Sequence, residues 1–239
     1  MEFPYKLGKL EARIPVGIAT LRHYVPELPA APDAADYYSH VTDWGMCLND
    51  RIGDCTLAGV DHLLKAWNRE VNVNDPTPSD EQIGQIYFSL TGGQDTGLVE
   101  YNVLETWRTK GLFGSKIAAY APVDFSDETN LRDAVAFYGG SYLGVKLPLS
   151  AQQQFQAGEP WSVVAGSPIE GGHCIVAVGY DANYVYIVSW GKVVPVTYAW
   201  LAAYLEEAWA IIPDEFVKTN SGPIVDLATL RADLDAVSA

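Results

Sequence analysis

Long apolar runs are missing from this sequence. No stretch of about 18 apolar residues occurs, so no membrane-spanning helix is expected. Basic residues are scarce: 15 Lys and Arg stand against 30 Asp and Glu, for a net charge of −15. That acidic balance argues against binding nucleic-acid phosphates or anionic membrane surfaces. The opening residues, MEFPYKLGKL, lack the apolar core of a secretory leader. A soluble, cytoplasmic protein with no secretion signal is expected. Cysteines number three, at 47, 55 and 174, with no C-x-x-C pair. The histidines at 23, 40, 62 and 173 do not space with them as zinc ligands. No metal and no cofactor are expected. A chain of 239 residues can bury a core without a disulfide framework, and a Cys47–Cys55 bridge stays open as an alternative. Internal repeats and low-complexity segments are also missing.

What is present falls into two halves. Residues 1–36 are proline-rich and read as an extended N-terminal arm. NDRIGDC at 49–55 then leads into an apolar stripe, Leu57, Val60, Leu64 and Trp67, at helical spacing. With Gly53 as a turn residue and Asp54 as N-cap, the spacing predicts a helix over 54–68 that Cys55 begins. NVNDPTPSD ends it, and Ser79 or Asp80 caps a second helix, EQIGQIYFSL. A glycine-rich loop, TGGQDTG, precedes a third, LVEYNVLETWRTKG, closed by Gly111.

The second half is rich in β-branched and aromatic residues. GSYLGVKLP, WSVVAG and AWAIIP read as strands, and TYAWLAAYLEEAW as a short helix. HCIVAVGYD and NYVYIVSWG read as a β-hairpin around residues 181–183. Leu227, Leu230 and Leu234 mark a small amphipathic helix in the tail. Helices first and strands second, within one domain's length, make an α+β fold. The organisation expected is an arm (1–36), a main domain (37–213) and a tail (214–239).

Why does a chain with three cysteines place one at the mouth of a helix, six residues after an amide side chain? On its own, Cys55 reads equally as a buried apolar residue. Taken with the downstream histidine, the order resembles papain-like cysteine peptidases, whose nucleophile lies in Q-G-x-C-G-S-C-W. Asn49, Gly53 and Cys55 fall on the glutamine, the second glycine and the nucleophile, and Asp43-Trp44 matches a D-W pair upstream. GGHCIVAVGYD matches the histidine strand at Gly172, His173, Val176, Val178, Gly179 and Tyr180, and VSWG at 188–191 matches N-S-W-G. The resemblance covers about residues 40 to 213. It implies a papain-like two-lobed fold, with a nucleophile helix in one half and a β-barrel-like second half. It also implies a groove wall built from Gly92, Gly93, Thr96 and Gly97, with Gly172 and Trp190 completing the substrate site.

The chemistry fits these residue types. A thiol attacks as thiolate, and a helix N-terminus favours the anion. An imidazole takes the proton and returns it to the leaving group. An amide side chain and a backbone N–H bind the developing oxyanion. Cys55, His173 and Asn49 are the candidates for these roles. Two departures stand out. Val188 falls where the family has its histidine-orienting asparagine, which leaves the triad incomplete. Asn49 is one methylene shorter than glutamine, and Asp54 places a carboxyl beside the thiol.

The expectation is therefore a weak thiol hydrolase, a peptidase or amidase, acting on a peptide or protein. The alternative is a catalytically degenerate papain-fold structural or binding protein, for example a bacteriophage virion component. Its partners would then be neighbouring structural proteins in an oligomer or assembly.

Overall fold

The computed structural model describes residues 4–25, 27–70, 77–219 and 225–238. In chain order these form helix α1 (Leu21–Tyr24), strand β1 (Ala35–Asp36), helices α2 (Cys55–Glu70), α3 (Asp80–Leu90) and α4 (Glu100–Thr109), strand β2 (Ile117–Pro122), helix α5 (Glu128–Tyr138), strand β3 (Ser141–Pro148), helix α6 (Leu149–Ala157), strands β4 (Ile169–Tyr180), β5 (Tyr184–Ser189) and β6 (Lys192–Thr197), helix α7 (Tyr198–Tyr204), strand β7 (Leu205–Pro213), and helices α8 (Asp214–Thr219) and α9 (Leu227–Ser238). The fold is α+β and two-lobed, as expected. Residues 71–76, expected to break the first long helix, lie outside the described residues.

The strands form an antiparallel sheet in the order β2-β7-β3-β4-β5-β6, with β1 added beside β4. The sheet is open: among the described residues β2 and β6 are ends and do not pair with each other. The expected hairpin is present, with Val176 opposite Val188 and Tyr180 opposite Val185. Its turn is held by the Asp181 carboxylate, which accepts from the N–H groups of Asn183 and Tyr184.

Helix α2 begins at Cys55, and its stripe of Leu57, Val60, Leu64 and Trp67 is buried. It packs against β4. Gly59 makes this approach close, since a Cβ there would sit 2.7 Å from the Tyr142 ring and 3.1 Å from Cys174 Sγ. A mid-helix glycine costs about 1 kcal/mol relative to alanine, and the close packing explains its use. Helix α3 starts at a capping box between Ser79 and Gln82. Helix α4 stops ahead of Gly111, whose φ of 87° suits the residue after a C-cap.

Two local readings are corrected. WSVVAG is not a strand: Trp161 makes a single bridge to Val196, while Val163 and Val164 stay exposed. No neighbouring strand covers their apolar side chains. The helix expected through TYAWLAAYLEEAW ends at Tyr204, and Leu205 opens β7. Pairing of β7 between β2 and β3 in the sheet interior outweighs the local helical preference of the alanines and leucines.

Candidate active site

Cys55 sits on the first turn of α2 and is 1% exposed. Its Sγ accepts a hydrogen bond of 3.4 Å from the backbone N–H of Cys174, the residue after His173 on β4. The helix N-terminus and the histidine strand therefore meet at this sulfur. Burial pushes the Cys55 thiol up to about 12, while N–H groups of Cys174 and Gly8 pull the other way.

His173 is 1% exposed, and burial lowers its pKa to about 3. The ring is held on two sides. Nε2 shares a hydrogen bond of 2.9 Å with Ser189 Oγ, and the face stacks on Trp190 at 4.7 Å between centroids. Nδ1 has no hydrogen-bond partner among the described residues. With Val188 at the family's asparagine position, another group holds the ring, and that group is Ser189. Val188 is buried in the β4–β5 pairing, and the next residue, Ser189, supplies the polar atom. Sequence alignment placed the partner one position early. A strand's alternation sends residues 188 and 189 to opposite faces, so Ser189 reaches the ring from the face that Val188 does not share.

Trp190 is held in an unusual conformation. It and Gly191 form the two-residue loop between β5 and β6, with φ of 45° and 72°. Positive φ at both loop residues is what a tight hairpin of this twist requires. For a tryptophan that conformation costs about 1–2 kcal/mol. Stacking on His173 and Tyr5 and an edge contact with Phe155 offset it.

The N-terminal arm runs through this cleft. Tyr5 stacks on Trp190, with 4.7 Å between ring centroids, and meets Phe155 edge-on. Lys6 N–H donates to the Asn49 carbonyl, Lys9 N–H to the Gly172 carbonyl, and Leu98 N–H to the Gly8 carbonyl. Glycines make room for it. A Cβ on Gly97 would lie 2.2 Å from the Gly8 carbonyl oxygen, and one on Gly172 would lie 2.2 Å from the Lys9 oxygen. The arm covers the thiol, which accounts for its burial.

The remaining sequence candidates are distributed as follows. Asn49 is buried, and its amide donates to the Ile52 carbonyl at 3.2 Å. Asp54 is fully buried, and burial raises its carboxyl to about 8, against hydrogen bonds from Asn49 and its own N–H. Its carboxyl also lies among the groups that raise the Cys55 thiol. Of the glycine loop, Gly97 touches the arm, while Gly92 and Gly93 make an open turn at φ of 66° and 84°. Thr96 is exposed on the same loop. A cavity of about 380 Å³ lies elsewhere, between the start of α5 and α7.

One cluster went unforeseen. Cys47, Asp61 and His62 lie together, buried, with their ligand atoms within 4.8 Å of one another. The Cys47 thiol donates to Asp61 Oδ2 at 3.1 Å, and His62 Nε2 lies 3.2 Å from the Gly45 carbonyl. Lys65 Nζ pairs with the same Asp61 oxygen at 2.8 Å and so supplies the positive charge a cation would bring. Burial pushes the Cys47 thiol far up and the His62 ring down to about 4, which favours the neutral form of both. The signal available in the sequence was Asp61-His62 one helical face away from a cysteine in a tight turn. All three cysteines are free thiols.

No family model and no curated protein matches the chain. Among solved structures it is similar to xylellain, a cysteine protease from Xylella fastidiosa, at 16% identity and a TM-score of 0.69, covering 89% of this chain and 98% of that one. It is also similar to the Carica candamarcensis cysteine protease CMS1MS2, solved in complex with E-64, at 14% identity and a TM-score of 0.53, covering 76% of this chain and 99% of that one. The fold is papain-like.

Proposed function

We propose that the chain is a papain-fold thiol hydrolase acting on peptide or amide bonds through Cys55 and His173. The observation that carries this reading is the meeting of the α2 N-terminus and the histidine strand at Cys55 Sγ. The residue before Cys174 is a histidine held by Ser189 and Trp190, whose Nδ1 has no hydrogen-bond partner among the described residues.

In this reading His173 Nδ1 takes the thiol proton and the Cys55 sulfur attacks the substrate carbonyl. The tetrahedral oxyanion is met by the Cys55 backbone N–H and the Asn49 amide. His173 returns the proton to the leaving amine, giving a thioester, which water then hydrolyses. Trp190, Gly172 and the 92–97 loop bound the substrate cleft. A weak hydrolase is the reading, because burial raises the Cys55 thiol and lowers the His173 imidazole, which favours a neutral resting pair. An ion pair forms only once the cleft is opened to water and substrate.

The same neutral pair supports a second reading, a papain-fold structural or binding component without turnover, such as a virion protein. Hydrolysis of fluorogenic peptide amides by the full chain and by Cys55→Ala separates them. Turnover that disappears in Cys55→Ala and His173→Ala but survives in Cys47→Ala supports the hydrolase. Turnover unaffected by Cys55→Ala, or none in any variant that opens the cleft, supports the second reading.

A further inference from the structure

Beneath the thiol lies a cluster of charge that the proposed chemistry does not use. The Lys9 side chain is fully buried, with Nζ 3.1 Å from both Glu206 Oε2 and Glu207 Oε1. Glu100 completes the socket. It is fully buried, and neither of its oxygens has a hydrogen-bond partner of ordinary geometry; the Cys174 thiol and Trp209 indole are its near neighbours. Lys146 pairs with the outer oxygen of Glu206 at 2.8 Å, at the exposed rim.

The socket is shaped for an alkyl stem. A Cβ on Gly144 would lie 2.1 Å from Lys9 Cε and 2.6 Å from Glu207 Cγ. Any other residue at 144 would close the channel. The main chain that carries Lys9 is bound as a peptide, by hydrogen bonds to Gly172 and Leu98 on the two walls. Burial raises the Glu100 and Glu207 carboxyls and the Lys9 charge pulls both back down, while both Glu100 oxygens stay without a hydrogen-bond partner among the described residues.

We infer that the socket of Glu100, Glu206 and Glu207 is a selectivity pocket for a basic side chain of the peptide substrate, held filled by Lys9 of the chain's own arm. This rests on the reading of the cleft as a peptide-hydrolysing site. The arm and a substrate peptide compete for the same glycine-lined walls, and the pocket gives preference to a lysine or arginine at one fixed place relative to the cleaved bond.

The test uses the full chain carrying Gly8→Ala and Lys9→Ala, which unseats the arm and empties the socket, with Cys55→Ala added for binding measurements. The probe is a fluorescent peptide spanning residues 5–14, in one version with lysine at position 9 and in the other with norleucine. The lysine peptide is expected to bind at least tenfold more tightly, and Glu207→Gln is expected to remove that margin. If Glu207→Gln does not fold, Glu206→Gln at the rim serves the same comparison. Equal binding of the two peptides, or no binding of either, overturns the pocket. The thiol-bearing protein is then incubated with a peptide library, and the cleaved bonds are read by mass spectrometry. Cleavage with no enrichment of Lys or Arg also overturns the pocket while leaving the hydrolase standing. Lysine-selective binding without cleavage overturns the hydrolase and leaves the pocket.

Discussion

Substituting Gly8 by alanine should expose the buried thiol. A Cβ on Gly8 would lie 1.7 Å from the Gly53 carbonyl oxygen, 2.2 Å from its carbon and 2.5 Å from its Cα. These are backbone atoms in the turn before α2, and they cannot yield as a flexible side chain would. The arm must move instead. It is seated over the cleft by four backbone hydrogen bonds: Lys6 to Asn49, Leu98 to Gly8, Lys9 to Gly172 and Leu10 to Leu98. At about 0.5–1.5 kcal/mol each, these hold the arm by roughly 2–6 kcal/mol. The buried Lys9 ion pairs hold the arm further, by what remains of their attraction after desolvation. At tenfold per 1.4 kcal/mol, the seated arm suppresses reaction at Cys55 by about 30-fold to about 10⁴-fold. The assay is the rate of alkylation at each cysteine at neutral pH, read by mass spectrometry. Cys55 should react faster in Gly8→Ala by a factor in that range, and Cys47 and Cys174 should remain slow in both proteins. Equal Cys55 rates in wild type and Gly8→Ala would refute the claim that the arm is what buries the thiol.

Removing the Ser189 hydroxyl with Ser189→Ala leaves His173 Nε2 buried and unpaired, and should cost about 1–3 kcal/mol in denaturant unfolding. Any hydrolysis should fall further in kcat than in KM, with partial recovery in Ser189→Thr. His62 titrates near 4 in the fold, against about 6.5 in the unfolded chain, because burial disfavours its charged form. The unfolded state therefore takes up the proton first, so the stability His62 permits is intact above about pH 6.5 and is lost as pH falls toward 4. Asp54, raised to about 8, acts with the opposite sign but is common to both proteins compared. His62→Gln should flatten the acid limb of a stability–pH curve by up to about 1.4 kcal/mol per pH unit; an unchanged slope would contradict the assignment. Gly191→Ala forces a side chain to φ of 72° and places a Cβ 3.0 Å from the Gly45 carbonyl oxygen. It should lower stability by about 1–2 kcal/mol and shift Trp190 fluorescence.

Much of this architecture is legible in the sequence because local and global signals agree. The stripe after Asp54 is helical in period and its face is buried, so α2 starts at the residue expected. The β4–β5 hairpin is β-branched on both sides of an Asp-anchored turn. Where the two levels disagree, the sequence misleads. Residues 205–207 continue a helical pattern, yet the interior of a sheet claims them, and that switch is what brings Glu207 to Lys9. Ser189 was hidden for a different reason. Motif alignment ties the orienting role to position 188, while the structure meets the same need from the next residue. The Lys9 socket was not legible at all. Its members come from positions 9, 100, 144, 206 and 207, and only the sheet order and the arm's path bring them together.

The arm is tethered, and that changes how it competes. Downstream of the cleft segment the chain is fastened again at α1, where Leu21 and Tyr24 are buried and the Tyr24 hydroxyl donates to Asp233. Between the two attachments Val16 is 99% exposed, at the sort of site that proteases reach first. While the chain is whole, the arm faces the cleft at an effective concentration of about millimolar, however dilute the protein. Dilution cannot open such a cleft, and a free peptide must outbid that local concentration to enter it. One cut near Val16 would turn the arm into an ordinary ligand that leaves at low concentration. The occupancy of the cleft would then depend on how much protein is present, which it does not while the chain is intact.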